Sequence, residues 1–139
     1  MKKYEFIDHT ADLGILVKGK TLPELFSNAA YAMFDILVEN IKKVEPKKSV
    51  NIKIIGRDEE DIFFDWLREL LSKFNLEKMV FKDFNIQKID STGLEAIVRG
   101  EEVDVSRHKL KTELKAVTYH GLELKKRGDI WEAQVIFDI

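Results

Sequence analysis

The hydrophobic period of this chain changes once, and that change limits the folds open to it. Leu22, Leu25, Phe26, Ala29, Ala30, Met33, Phe34 and Leu37 recur at three-to-four spacing, the stripe of an amphipathic helix. Ile62, Phe63, Trp66, Leu67, Leu70, Leu71 and Phe74 repeat the pattern. From residue 80 onward the spacing falls to two, the period of a half-buried strand. Helices therefore come early and most strands late. Short strands are expected at Tyr4 to Ile7, Leu13 to Lys18 and Val50 to Ile54.

The boundaries carry their own signals. Thr21-Leu22-Pro23-Glu24 fits a capping box with proline in the first turn, where the missing N–H costs nothing. Asp58-Glu59-Glu60-Asp61 opens the second helix, and acids favour the positive helix start. The same run is tempting as a metal site, but a solvated helix start explains it more simply. Asp90-Ser91-Thr92-Gly93 reads as a hairpin turn between Phe84 to Ile89 and Leu94 to Gly100. Asp104 to Lys111 reads as a polar loop. Three more strands are expected at Glu113 to Tyr119, Leu122 to Lys126 and Trp131 to Phe137, with Arg127-Gly128-Asp129 turning between the last two. This order predicts an α+β fold in a single domain over residues 1–139, with two helices packed on one face of a mainly antiparallel sheet.

Composition removes several functions. Hydrophobic residues make up 45% and charged residues 35% of 139, the balance of a folded, soluble chain. Lys plus Arg is 23 against 25 Asp plus Glu, a formal charge of −2. That argues against strong, standing nucleic-acid binding while leaving room for a local basic patch. There is no cysteine, so disulfides, thiolate chemistry and zinc–thiolate sites are excluded. No apolar run reaches membrane-spanning length and the start carries no apolar signal core. A cytoplasmic protein with no membrane partner is therefore expected. Abundant Lys and Glu suggest a heat-adapted source.

Three segments hold chemistry. Asp8-His9-Thr10-Ala11-Asp12 places two carboxylates, an imidazole and a hydroxyl in five residues. Asp8 and Asp12 are hard oxygen donors suited to Mg²⁺, Mn²⁺ or Ca²⁺. The loop equally reads as a strand connection whose side chains satisfy backbone amides. In the second segment, Lys115 to Gly121, alternation sets Lys115, Val117 and Tyr119 on one face. If Ala116 and Thr118 face the core, Lys115 points outward, free to grip phosphate or neutralise carboxylates. His120 is a ligand or a histidine packed at a strand end. His108, between Arg107 and Lys109, is expected to be solvated. The third segment is the end of the sequence, where Asp138 sits on a strand and Ile139 brings an α-carboxylate beside it. Adjacent carboxylates chelate hard cations or raise each other's proton affinity; otherwise this is a polar chain end. No nucleophile elbow, phosphate-cradling glycine loop or dinucleotide fingerprint is present.

Asp8-His9-Thr10-Ala11-Asp12-Leu13-Gly14-Ile15, Leu114-Lys115-Ala116-Val117-Thr118-Tyr119-His120-Gly121 and Val135-Ile136-Phe137-Asp138-Ile139, in this order, resemble the archease family over the whole length. The resemblance implies a protein cofactor, not an enzyme. Its partner would be the RtcB-type RNA ligase, which joins tRNA halves using GTP and Mn²⁺ through a guanylylated histidine. An archease promotes that guanylylation and multiple turnover, meeting tRNA halves only indirectly. The resemblance places a divalent metal (Ca²⁺, Mn²⁺ or Mg²⁺) at Asp12, Asp138 and Ile139, and an activation-related lysine at Lys115. Asp8, His9 and His120 fall in the matching motifs as supporting residues. Two other readings are a general chaperone or RNA-modification adaptor, and a metal-dependent phosphoester hydrolase using Asp8 and Asp12 with His9 or His120 as base.

Overall fold

The computed structural model describes residues 3–7 and 12–139. The order is β1 (Tyr4–Ile7), β2 (Asp12–Gly19), α1 (Leu22–Leu37), a 3-10 turn (Ile41–Lys43), β3 (Lys48–Ile55), α2 (Glu59–Glu77), β4 (Met79–Asp90), β5 (Gly93–Glu102), β6 (Ala116–Arg127) and β7 (Ile130–Asp138). All strand pairs are antiparallel. The fold is α+β, as the change of period indicates.

Both helix starts use the residues that the sequence offers. Thr21 accepts the Glu24 amide at 3.2 Å, with proline in the first turn. Asp58 accepts the Asp61 amide at 2.8 Å. These caps satisfy amides that have no partner inside the helix. No helix among the described residues is long and apolar enough to cross a membrane.

Two details differ from the expected pattern. The strands form two sheets, ordered β1-β2-β7-β6 and β3-β5-β4, where the period alone suggested one. Period-two patterning shows that a strand has an inner face, but it does not name the strand's neighbour. Both helices contact both sheets and bury a shared core. Trp66 and Phe26 are fully buried, and the Trp66 indole N–H donates to the Phe26 carbonyl at 2.9 Å. Phe34 stands edge-on to Phe81, with ring centres 5.7 Å apart. Each such buried ring stabilises the fold by about 1.5–3 kcal/mol.

The second difference lies in β6. The segments expected as separate strands at Glu113 to Tyr119 and Leu122 to Lys126 are one strand that starts only at Ala116. Its register against β7 breaks between Thr118↔Ile136 and Glu123↔Gln134. Residues 119–122 thus bulge out of the ladder opposite a single β7 residue. Gly121 takes φ +66° there, a region that side chains rarely adopt. Its carbonyl accepts the Gln134 side-chain amide at 2.8 Å. A glycine at a break in alternation looked like a strand end, and it marks a bulge instead.

Between β5 and β6 the chain crosses the ends of both helices and is pinned repeatedly. Lys78 O accepts from Val103 N at 2.7 Å, Leu37 O from Lys111 N at 2.8 Å, and Leu114 O from the Asn75 side chain at 3.1 Å. Inside this loop lies a buried ionic cluster. His108 is 3% exposed, correcting the expectation of a solvated side chain. Its Nδ1 accepts the Asp104 amide at 2.8 Å, so the ring proton sits on Nε2, 2.9 Å from Glu101 Oε2. Glu101 also accepts the Glu45 amide at 2.8 Å and pairs with Arg107. A histidine between two cations looked solvated because its acid partner lies seven residues back, on β5.

Burial alone would push the Glu101 carboxyl up, but the Glu45 amide, Arg107 and His108 outweigh it and hold the group at about 2, against an ordinary 4.5. A depressed carboxyl stabilises the fold above its unfolded value and loses that contribution as pH falls through the folded value. Urea midpoints of the unaltered protein should therefore fall between about pH 5 and pH 2, and more steeply than those of Glu101→Gln. Gly100 makes a second test. A Cβ there would collide with the Val80 carbonyl oxygen where β4 crosses β5. Gly100→Ala should lower stability by about 1–3 kcal/mol in chemical denaturation.

Candidate functional site

β7 is the central strand that gathers the motifs. In the β2–β7 ladder, Asp12 is the register partner of Asp138. On the other side of β7, Ala116 is the register partner of the same Asp138. Directly opposed residues in an antiparallel pair have Cβ atoms about 4.5–5.5 Å apart on one face. The two carboxylates, separated by most of the sequence, thus share one face at one end of the sheet.

Lys115 is fixed beside them through its backbone, its amide donating to the Asp138 carbonyl at 2.7 Å. The preceding Leu114 is fully buried and Val117 is 7% exposed, opposite buried Phe137. Val117 therefore faces the core, so the arrangement with Ala116 and Thr118 inward, the condition set for an outward Lys115, does not hold. A branched apolar side chain gains more from burial than alanine or threonine. Lys115 and Asp138 remain exposed, Asp12 is half-buried, and Ile139 is 50% exposed. The site is an open rim, not a closed pocket.

The other named residues fall elsewhere. Asp8 and His9 lie outside the described residues. His120 sits in the β6 bulge and is exposed, so the register does not align it with Asp12 and Asp138. Its neighbour Tyr119, 60% exposed, stacks on Phe64 of α2 with ring centres 3.7 Å apart. The acidic start of α2 is structural. Asp58 caps the helix, Asp61 accepts Arg57 Nε at 2.9 Å, and Glu60 accepts the Leu124 amide of β6 at 3.2 Å. Sequence reasoning missed the contacts that deliver Lys115, because backbone amides and carbonyls leave no mark on residue type.

Like charges set directly opposite each other destabilise a sheet, and a hard cation between them relieves that repulsion. The donor set fits such an ion, since Asp12 and Asp138 offer only oxygen. Among the described residues no group of three or more His, Cys, Asp or Glu side chains forms a metal cage. A cation here would be held by two side-chain carboxylates together with other oxygen donors.

The chain matches the Archease protein family (MTH1598/TM1083) over residues 4–139. It is 40% identical to the protein archease of Methanosarcina acetivorans, covering 99% of this chain and 97% of that one. It is 40% identical to the protein archease of Pyrococcus abyssi, covering 100% of both. The solution structure of Methanobacterium thermoautotrophicum protein 1598 superposes with a TM-score of 0.83 at 33% identity, covering 100% of both chains. The crystal structure of an archease described as a possible chaperone, from Thermotoga maritima, shares the fold at a TM-score of 0.67 and 21% identity, covering 96% of this chain and 94% of that one. With this coverage and identity, on a sheet that brings all three motif regions together, the chain belongs to the archease family.

Proposed function

We propose that this protein activates an RtcB-type tRNA-splicing ligase in the cytoplasm, promoting GTP-dependent guanylylation and multiple turnover without catalysing a reaction itself. The observation that carries the reading is the register of Asp12 against Asp138, with Lys115 tied to the Asp138 carbonyl. An activator that acts inside another enzyme's nucleotide site must offer its chemistry on an open rim. Here both acids, the lysine and Ile139 lie at one end of the β1-β2-β7-β6 sheet.

Asp12, Asp138 and the Ile139 carboxyl group would hold Ca²⁺, Mn²⁺ or Mg²⁺. When bound, the ion supplies positive charge beside a nucleotide's phosphates. The chain's own residues do the positioning. The β2–β7 ladder sets the separation of the carboxylates, and the Lys115 amide fixes the end of β7. The Lys115 ammonium contacts phosphate or balances the acids when no partner is present. At this rim, contact with tRNA halves is indirect, through the ligase.

A general chaperone is the second reading, after the description of the Thermotoga maritima relative. Exposed apolar residues favour it, with Ile55 79%, Leu76 79% and Val105 83% exposed. They lie on three separate segments, whereas the carboxylates and Lys115 converge at one place.

Multiple-turnover ligation of RNA ends by an RtcB-type ligase, with and without this protein, tests the proposal. Asp12→Ala, Asp138→Ala and Lys115→Ala should each reduce activation by at least about tenfold at an unchanged thermal midpoint. A short extension after Ile139 should do the same. Full activation by the extended protein would refute a role for the Ile139 carboxylate. Full activation by Asp12→Ala and Asp138→Ala would refute the site.

A further inference from the structure

A cleft of about 440 Å³ lies between the start of the described chain, α1, the 3-10 turn and β4, with Lys3, Lys42 and Lys82 in its lining. It is far from the carboxylate rim. The Lys3 carbonyl accepts the Lys18 amide at 3.3 Å, and Lys18 is six residues along β2 from Asp12, about 20 Å at the rise of a strand.

Two of the three ammonium groups are located by their contacts. Lys3 Nζ sits 4.0 Å above the centre of the Tyr31 ring. Lys82 Nζ donates to the Lys42 carbonyl at 3.2 Å, leaving two N–H groups for a ligand. Lys47, Lys48, Lys73, Lys109 and Lys125 each pair with a carboxylate. Among the described residues Lys3, Lys42 and Lys82, like several other lysines, do not, but these three line one cleft, whose lining contains one acid, Asp83. A chain of net charge −2 thus gathers positive charge in one concavity.

The donor chemistry selects the ligand. The lining has no arginine, so it lacks the fork that recognises a terminal phosphate or carboxylate in a bidentate way. No buried side-chain N or O atom among the described residues lacks a hydrogen-bond partner, so no orphaned donor is aimed at a small anion. What remains is point charge from three separate segments along an open cleft, with the Tyr31 hydroxyl and Asn85 amide as neutral donors. That arrangement neutralises successive phosphates and reads no base. An open, positively charged groove of this kind tracks the flexible backbone of a single strand.

We infer that the Lys3–Lys42–Lys82 cleft binds the sugar–phosphate backbone of a single-stranded nucleic acid. This site stands apart from the carboxylate rim and goes beyond the role proposed for it, since it gives the protein a direct hold on a strand.

Fluorescence anisotropy with a labelled single-stranded uridine oligonucleotide tests the cleft on the full chain, without any ligase. Three neutralised phosphates predict binding about 20-fold weaker at 200 mM than at 50 mM salt. Replacing Lys3, Lys42 and Lys82 together by glutamine should abolish binding, while replacing all three by arginine should retain it. Lys125→Gln, on another strand, should leave it unchanged. Thermal midpoints check that each variant folds. The inference is overturned if the unaltered protein shows no salt-dependent binding, or if the glutamine variant binds as tightly. It is also overturned if inorganic phosphate or polyglutamate displaces the oligonucleotide at equal concentration.

Discussion

The antiparallel register of β2 against β7 is the constraint on which the rest of this molecule depends. It places Asp12 opposite Asp138, and it also places Ile15 opposite Val135 and Val17 opposite Ala133, all four of which are buried. A slip of one residue would turn that apolar set toward solvent. The core therefore enforces the register, and the register sets the separation of the carboxylates. The proposed cation site would need no long ligand loop. Its two carboxylates are positioned by hydrophobic burial several residues away.

The second element of the site arrives by a different route. Lys115 is not held by strand alternation, because β6 begins one residue later. It is delivered by the loop after β5, pinned to the ends of both helices and anchored by Glu101, Arg107 and His108. Removing one partner from a buried ionic cluster leaves the others without compensation and costs about 3–5 kcal/mol. The cluster thus links the ionisation of a buried acid to the segment that carries the lysine, and that segment meets the rim through the Lys115 amide.

Much of this was legible from the sequence because it is written in local periodicity. The two apolar stripes, the caps at Thr21 and Asp58, and the β4–β5 hairpin all depend on residues within a few positions of each other. The split into two sheets was not legible, since a half-buried strand shows which face is apolar but not which strand lies beside it. The bulge at residues 119–122 was read as a break between strands, because Gly121 interrupts the alternation either way. His108 was misread because Glu101 meets it only after the chain has turned. At the site, residue type offered Asp8, Asp12, Lys115 and Asp138, and the archease resemblance singled out Asp12, Asp138 and Lys115 among them. Their convergence depends on strand pairing between the two ends of the chain, which no local pattern records.

Two distant acids are proposed to form one cation site at the end of β7, with Lys115 beside it. Amide NMR during titration with Mn²⁺ tests this most directly, because the paramagnetic ion broadens the signals nearest to it. The account predicts that the amides of Leu13, Ala116 and Phe137 broaden first, and that Asp138→Ala removes the effect. Earliest broadening at the acidic start of α2 around Asp58 and Asp61, or no selective broadening at the end of β7, would contradict it.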